Sequence, residues 1–237
     1  RLPGLAPEGV FTHFASADEE DGETFTRLQF SLFQQTIDAL EKRGVHFALR
    51  HCCNSAATML YPEMHMDMVR PGLILYGLLP APWLDGRLPL QPAMELKTVV
   101  SMVKTVPAGS VVSYGRTYTA AGDATLATVP IGYADGYPRC FSNRAEMLVN
   151  GRRAPVTGRV CMDQCMLDVS DMTDVREGMV VTVFGRDGGA SLPVEEFAAL
   201  SGTINYESIC LIGKRVPRIF QSGGRTVGQL NYIVPED

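Results

Sequence analysis

Two patterns of apolar and polar positions divide the chain. Through residue 90, short apolar runs alternate with amphipathic stretches. Val10-Phe11-Thr12-His13-Phe14 reads as a buried strand running into a loop, and Ala17 to Asp21 is acidic, which suits the approach to a helix start. From Glu23 to Arg43, apolar residues recur at Phe25, Leu28, Leu32, Thr36/Ile37 and Leu40, a helical stripe, with Lys42 and Arg43 in the last turn and Gly44 as the stop. A short strand over Val45 to Leu49 follows, then a helix from Ser55 through Met59, then a strand over Met66 to Arg70. Strand, helix and strand in this rhythm predict parallel strands with right-handed crossovers. They supply about half of an eight-stranded (β/α)8 barrel.

Pro80, Pro82, Pro89 and Pro92 form a proline-rich joint, and beyond it the period changes. Glu95–Val106, Ala124–Pro130, Glu146–Val149, Arg153–Val160, Gln164–Val169 and Met179–Phe184 are short, β-branched runs separated by turn residues. Asn150-Gly151 between apolar runs is a hairpin signal, and Asp187-Gly188-Gly189 marks another turn. One short helix is expected from Pro193 to Leu200, with Ser191 as its cap. The expected architecture is α/β followed by all-β: residues 1–90 as part of a barrel, residues 91–237 as a β-strand-rich domain. The start at Arg1, almost directly before a strand and without methionine or signal peptide, reads as a beginning within a fold.

Composition narrows the function classes. With 46% hydrophobic residues the chain can bury a core, and a net charge of −5 with no long basic run argues against nucleic acid as a partner. No apolar run approaches the ~20 residues of a membrane span, so no membrane partner is expected. Six cysteines, with Cys52 and Cys53 adjacent and Cys161 and Cys165 lacking a second matching pair or nearby histidines, suggest buried thiols in a reducing cytoplasm and no metal site. A mildly acidic enzyme acting on small metabolites is the default expectation.

Catalytic groups on parallel α/β barrels lie at the C-terminal ends of strands. His13, Asn54-Ser55 and Arg70 fall there. A hydroxyl at a helix start and the backbone amides at Gly72 together describe a cradle for a phosphate-bearing cofactor. Singly each signal is weak, because a strand-end histidine is commonly structural and a serine opening a helix is usually a cap.

Seven segments raise the specificity. They are Thr12–Asp18, His51–Ala57, Met68–Gly72, Val112–Gly115, Ile131–Gly136, Gly158–Gln164 and Ile204–Glu207. In order and spacing they resemble the alanine racemases, over about Gly9 to Phe220. The resemblance implies a barrel domain carrying pyridoxal 5'-phosphate, a C-terminal β domain, and a head-to-tail homodimer whose subunits share active sites. It makes Tyr114 the base on the L-alanine face. Free tyrosine titrates near ~10, so such a base needs positive charge nearby; in the family this comes through a histidine and an arginine, at positions matched by His13 and Arg70. Arg70 would also face the pyridine nitrogen, where an always-protonated guanidinium is a poor proton donor. Asn54, Ser55, Gly72, Leu73 and Tyr206 would bind the cofactor with His13 and Arg70. Met162, through its backbone N–H, would meet the substrate carboxylate, with Tyr133 and Asp163 beside the substrate, and Asp18, Arg139 and Arg159 at the entrance.

One part of the family pattern has no match. The motif whose lysine holds the cofactor covalently is absent, and Lys42, Lys97, Lys104 and Lys214 stand in other surroundings. The barrel arginine expected at the substrate carboxylate is missing too. The expectation is therefore a piece of a full racemase, with the preceding barrel segment on the same gene product or on a companion chain. A serine or broad-specificity racemase, a related decarboxylase, and a non-catalytic cofactor-binding or interaction protein of the same fold are the alternatives. Ser113-Tyr114-Gly115 and Met162-Asp163-Gln164 favour alanine racemase over the decarboxylases.

Overall fold

The computed structural model describes residues 4–234. Arg1 to Pro3, where the sequence suggests a start within a fold, lie outside the described residues. The chain divides into two compact units after Ala93.

In the first unit, β1 (Gly9–Phe11) and β2 (Leu49–His51) pair in parallel, joined by α1 (Glu23–Glu41), and α2 (Ser55–Leu60) follows. The parallel pair with a helical crossover is the expected barrel unit. Gly44, at φ 75°, ends the α1 turn, with its N–H donating to the Glu41 carbonyl at 2.9 Å. The face that α1 buries differs from the Phe25–Leu28–Leu32 stripe. Phe33, Ile37 and Thr26 are buried, whereas those three residues are each more than half exposed. The helix is apolar on two faces. Phe33 and Ile37 pack with Phe14, Cys52, Cys53, Ala56, Ala57, Met64 and Leu84, and this cluster is the core of the unit.

Three strand expectations are corrected. The first strand covers only Gly9–Phe11, with Phe11 exposed, and the second is displaced to Leu49–His51. Met66 to Arg70 forms no strand. Asp67 N–H and Arg70 N–H reach the Arg50 and Cys53 carbonyls at 3.1 and 2.9 Å, so the segment does run beside β2. The Arg50 N–H, however, donates to the Asp67 carboxylate at 2.8 Å. A side chain has taken a backbone partner's place, and no ladder propagates.

The second unit contains β3 (Leu96–Val99), β4 (Met102–Val106), β5 (Val111–Val112), β6 (Tyr118–Thr119), β7 (Ala124–Val129), β8 (Glu146–Val149), β9 (Arg152–Thr157), β10 (Cys165–Asp168), β11 (Val180–Asp187) and β12 (Ala190–Leu192). Next come α3 (Val194–Ser201), α4 (Asn205–Leu211) and the hairpin of β13 (Arg218–Ser222) with β14 (Arg225–Leu230). The main sheet runs β12-β11-β8-β9-β10-β7-β4, with β3 also on β11, and its pairings are antiparallel. Asn150 and Gly151, at φ 51° and 72°, make the two-residue turn between β8 and β9 that their sequence predicts. Tyr137, Phe141 and Phe184 pack edge to face on Phe197 of α3. The helix cap expectation is corrected: Ser191 lies in β12, and Pro193 precedes α3 without a capping side chain. Helix α4 is missed by periodicity because its seven residues span barely two turns.

The thiols are buried only in part. Cys52, Cys53 and Cys165 are buried, but Cys140 and Cys210 are exposed. Among the described residues no helix is long and apolar enough to cross a membrane.

Candidate active site

The first unit gathers its candidates at the ends of β1 and β2. Arg70 is the hub. Its Nη2 donates to the Thr12 carbonyl at 3.1 Å and the Cys52 carbonyl at 3.4 Å, and meets His13 Nδ1 at 3.3 Å. Nη1 bonds His51 Nδ1, and the guanidinium lies over the Phe11 ring. A guanidinium only donates, so Nδ1 of His51 is the acceptor and carries no proton. Burial, and secondarily the charge of Arg70, hold the His51 pKa below its ordinary value, which agrees with a neutral ring. His51 also stacks on Phe11. The sequence brings forward His13 and Arg70 as a pair; the structure adds His51, legible earlier only as part of a motif.

The phosphate-type cradle follows directly after Arg70. Asn54, not Ser55, caps α2, its Oδ1 accepting the Ala57 N–H at 3.0 Å. Ser55 is therefore free of the capping task. It is buried, and its Oγ accepts the Gly72 N–H at 2.9 Å. A side chain on Gly72 would begin 3.9 Å from that hydroxyl. Leu73 is buried and opens a single 3-10 turn. Hydroxyl and backbone amide here suit a phosphate monoester. Asp18 is half-buried, and its carbonyl accepts the Trp83 indole N–H at 2.8 Å.

The second unit assembles a separate cluster. Ser113, Tyr114, Cys161, Met162, Asp163, Gln164 and Met166 line a cavity of about 540 Å³. Tyr114 is 73% exposed, on a bend where Ser113, Gly115 and Arg116 all have positive φ. Such backbone costs about 1–3 kcal/mol at each non-glycine position and persists only where neighbours enforce it. Ser113 Oγ donates to the Arg159 carbonyl at 2.7 Å, and Gly158 sits so close that a side chain there would meet Ser113 Cβ and the Val112 carbonyl at 2.9 Å. Arg159 packs its guanidinium against Gly115. Met162 is held by the turn from Gly132 to Asp135: Tyr133 N–H donates to the Cys161 carbonyl at 3.1 Å and Ala134 N–H to the Met162 carbonyl at 3.0 Å. Among the described residues no acceptor takes the Met162 N–H, which leaves it available to an anionic ligand.

Tyr114, Met162 and Asp163 thus share one cavity, with Tyr133 and Arg159 on the adjoining loops. Arg139 stands apart on an exposed 3-10 turn, and Tyr206 is half-buried in the first turn of α4. Asp163 is paired by a residue that sequence reading passes over: Arg215 bonds both Asp163 and the buried Asp135. Nothing in the local sequence of Arg215 signals this. The lysines offer no substitute anchor: Lys42 caps the end of α1, Lys97 pairs with Glu95, Lys104 lies in β4, and Lys214 lies over Tyr232.

A parallel-barrel segment bearing an Arg–His cluster and a phosphate-type cradle, followed by an antiparallel β domain bearing a tyrosine at a cavity, defines a barrel-plus-β protein suited to pyridoxal phosphate. Comparison with known proteins specifies which. Residues 1–80 match the family described as "Alanine racemase, N-terminal domain" and residues 93–220 the one described as "Alanine racemase, C-terminal domain". An alanine racemase of Desulforamulus reducens is 53% identical over 220 residues, covering 92% of this chain and 58% of the relative. One of Clostridium tetani is 44% identical over 235 residues, covering 98% and 60%. The solved alanine racemase of Clostridium difficile 630 in complex with cycloserine is similar at a TM-score of 0.90 and 41% identity, over 96% of this chain and 60% of that one. That of Bacillus anthracis with bound L-Ala-P gives 0.90 and 42%, over 95% and 58%. The chain belongs to the alanine racemase family. It spans 58–60% of the length of these two curated relatives.

Proposed function

We propose that the protein of which this chain is part interconverts L- and D-alanine with pyridoxal 5'-phosphate. Tyr114 at a cavity shared with the unclaimed Met162 N–H carries this reading, because a phenol and an amide without an acceptor are what proton transfer beside a bound carboxylate would need. When bound, the cofactor serves as electron sink for the carbanion formed at the alanine Cα. Ser55 Oγ and the Leu73 amide would hold its phosphate, with the Gly72 amide keeping the Ser55 hydroxyl in place, Tyr206 completing the set and Asn54 fixing the α2 start. Arg70 would face the ring nitrogen, where a guanidinium donates hydrogen bonds without giving up a proton. Tyr114 removes or returns the proton on the L-alanine face, and its charge is balanced through His13 and Arg70. Met162 N–H receives the substrate carboxylate, with Tyr133 and Asp163 beside it, and Asp18, Arg139 and Arg159 line the approach.

The family's head-to-tail homodimer lets Tyr114 serve the partner subunit's cofactor. The lysine for the opposite face comes from barrel sequence beyond these residues, on the same gene product or on a companion chain. D-Alanine made in the cytoplasm then feeds cell-wall peptidoglycan.

The test is D-alanine formation from L-alanine by the full-length, cofactor-loaded protein, followed with a D-amino-acid oxidase couple. Tyr114→Phe is expected to lower L-to-D turnover by about 10²–10⁴-fold, the usual contribution of a general base, while the cofactor stays bound. Normal turnover by that variant refutes the assignment of Tyr114. Racemisation of serine in preference to alanine moves the reading to a serine or broad-specificity racemase, and no turnover of any amino acid makes the protein a non-catalytic relative.

A further inference from the structure

Two loops of the β unit carry its candidate substrate-side groups. Cys161-Met162-Asp163 lies between β9 and β10, and Tyr133 sits on the turn from Gly132 to Asp135. Within the Met162 loop Cys161 N–H donates to the Gln164 carbonyl at 2.9 Å, and Cys161 Sγ lies against Ser113 Oγ and the Arg159 carbonyl. The Gly132–Asp135 turn supports it further. That turn is closed by Asp135, whose Oδ2 accepts the Gly132 N–H at 2.8 Å.

Asp135 is buried, at 8% exposure, and its other oxygen takes Arg215 Nε at 2.6 Å. Arg215 Nη2 continues to Asp163. One planar guanidinium therefore joins the two loops. Arg215 is itself anchored beyond α4. Gly213 N–H donates to the Asp135 carbonyl at 2.9 Å, and Arg218 bonds the carbonyls of Ile212 and Val216 at 2.8 and 2.7 Å.

Exposure separates positioning from stability. The Arg215 side chain is 38% exposed and that of Asp163 59%. An ion pair so open to water is screened and adds little to folding. Its directional fork still fixes where Asp163, and so the neighbouring Met162 amide, can sit. We propose that Arg215 is a positioning residue: by bridging Asp135 and Asp163 it sets the Met162 N–H against the substrate carboxylate and ties that loop to that of Tyr133. This rests on the racemase reading above and deepens it. Lysine in its place could serve one carboxylate but not both in fixed planes.

The experiment uses the full-length holoenzyme with Arg215→Lys, Asp163→Asn and the double variant. Asp163→Asn keeps the Arg215–Asp135 bond and so protects the fold. Four quantities are measured: kcat, KM for alanine, inhibition by propionate as a carboxylate probe, and hydrogen exchange in the peptide containing 161–164. Each single variant should raise KM and the propionate inhibition constant together by about tenfold, with kcat within about threefold, because carboxylate binding is the interaction lost. Exchange at 161–164 should quicken, and the double variant should be no worse than the poorer single, as one shared interaction requires. Additive losses in the double variant, or unchanged KM and exchange in both singles, overturn the proposal. Should the wild type racemise no alanine, the functional reading fails, and the exchange data still decide whether Arg215 holds the loop.

Discussion

Gly132→Ala is the sharpest perturbation the structure offers. Gly132 has φ −151°, an extended backbone any residue adopts, so no conformational strain accompanies the change. The penalty is steric. A Cβ there would lie 2.3 Å from both the Cys161 and Met162 carbonyl oxygens and 2.5 Å from the Met162 carbonyl carbon. These are backbone atoms, which cannot rotate aside. Restoring van der Waals contact at about 3.4 Å moves the Met162 loop by about 1 Å. That movement breaks the bonds from Tyr133 N–H and Ala134 N–H to the same carbonyls, at about 1 kcal/mol each. Overpacking adds about 1–3 kcal/mol, so the loss of stability is about 3–5 kcal/mol. A 1 Å misplacement of a substrate-positioning group costs about 10²-fold in rate. The full-length variant should therefore lose about 10²-fold in alanine kcat/KM in the D-amino-acid oxidase couple and unfold at lower denaturant. The cofactor should still bind, because Ser55, Gly72 and Arg70 are untouched. A variant within twofold of wild type in kcat/KM, with an unchanged denaturation midpoint, refutes the reasoning.

Two further outcomes follow from the first unit. Ser55→Ala removes a phosphate-facing hydroxyl, which should weaken cofactor affinity by about 10-fold or more in an absorbance titration, from about 1.5–3 kcal/mol for a hydrogen bond to a charged group; unchanged affinity would remove Ser55 from the cradle. His51 has a folded-state pKa below that of the unfolded chain, so the unfolded state binds its proton first as pH falls. Its contribution to stability is constant above about 6.5, the ordinary histidine value, and declines between there and the depressed folded value. Urea denaturation of the full-length protein at pH 7.5 and 5.5 should show this loss, and His51→Gln should reduce the slope; an equal slope would place the effect on another group.

The second unit was the more legible of the two in the sequence. Its strands are short β-branched runs, and Asn150-Gly151 can satisfy the two positive φ angles of its turn with only local consequences. The hairpins β8 with β9 and β11 with β12 pair near neighbours and follow from local chemistry, whereas β3 with β11 and β7 with β10 pair residues remote in the chain. The first unit was harder because parallel strands are paired by residues far apart. Whether Met66 to Arg70 joined a ladder depended on the Asp67 carboxylate capturing the Arg50 N–H, which no run of apolar residues encodes.

The candidate site divides in the same way. The ordered motifs around His13, Ser55, Arg70, Tyr114 and Met162 carried the family and the residue types of the chemistry, because a residue-by-residue record of side chains is what sequence holds. Tertiary structure decided which partner each side chain met: His51 against Arg70, Asn54 rather than Ser55 as the cap of α2, and Arg215 between Asp135 and Asp163. It also decided which of the two apolar faces of α1 was buried. Propensity and turn chemistry act over a few residues, and the sequence by itself determined what depends on them. Burial and bridging hydrogen bonds depend on distance in space between residues remote in the chain, and only the folded chain sets that distance.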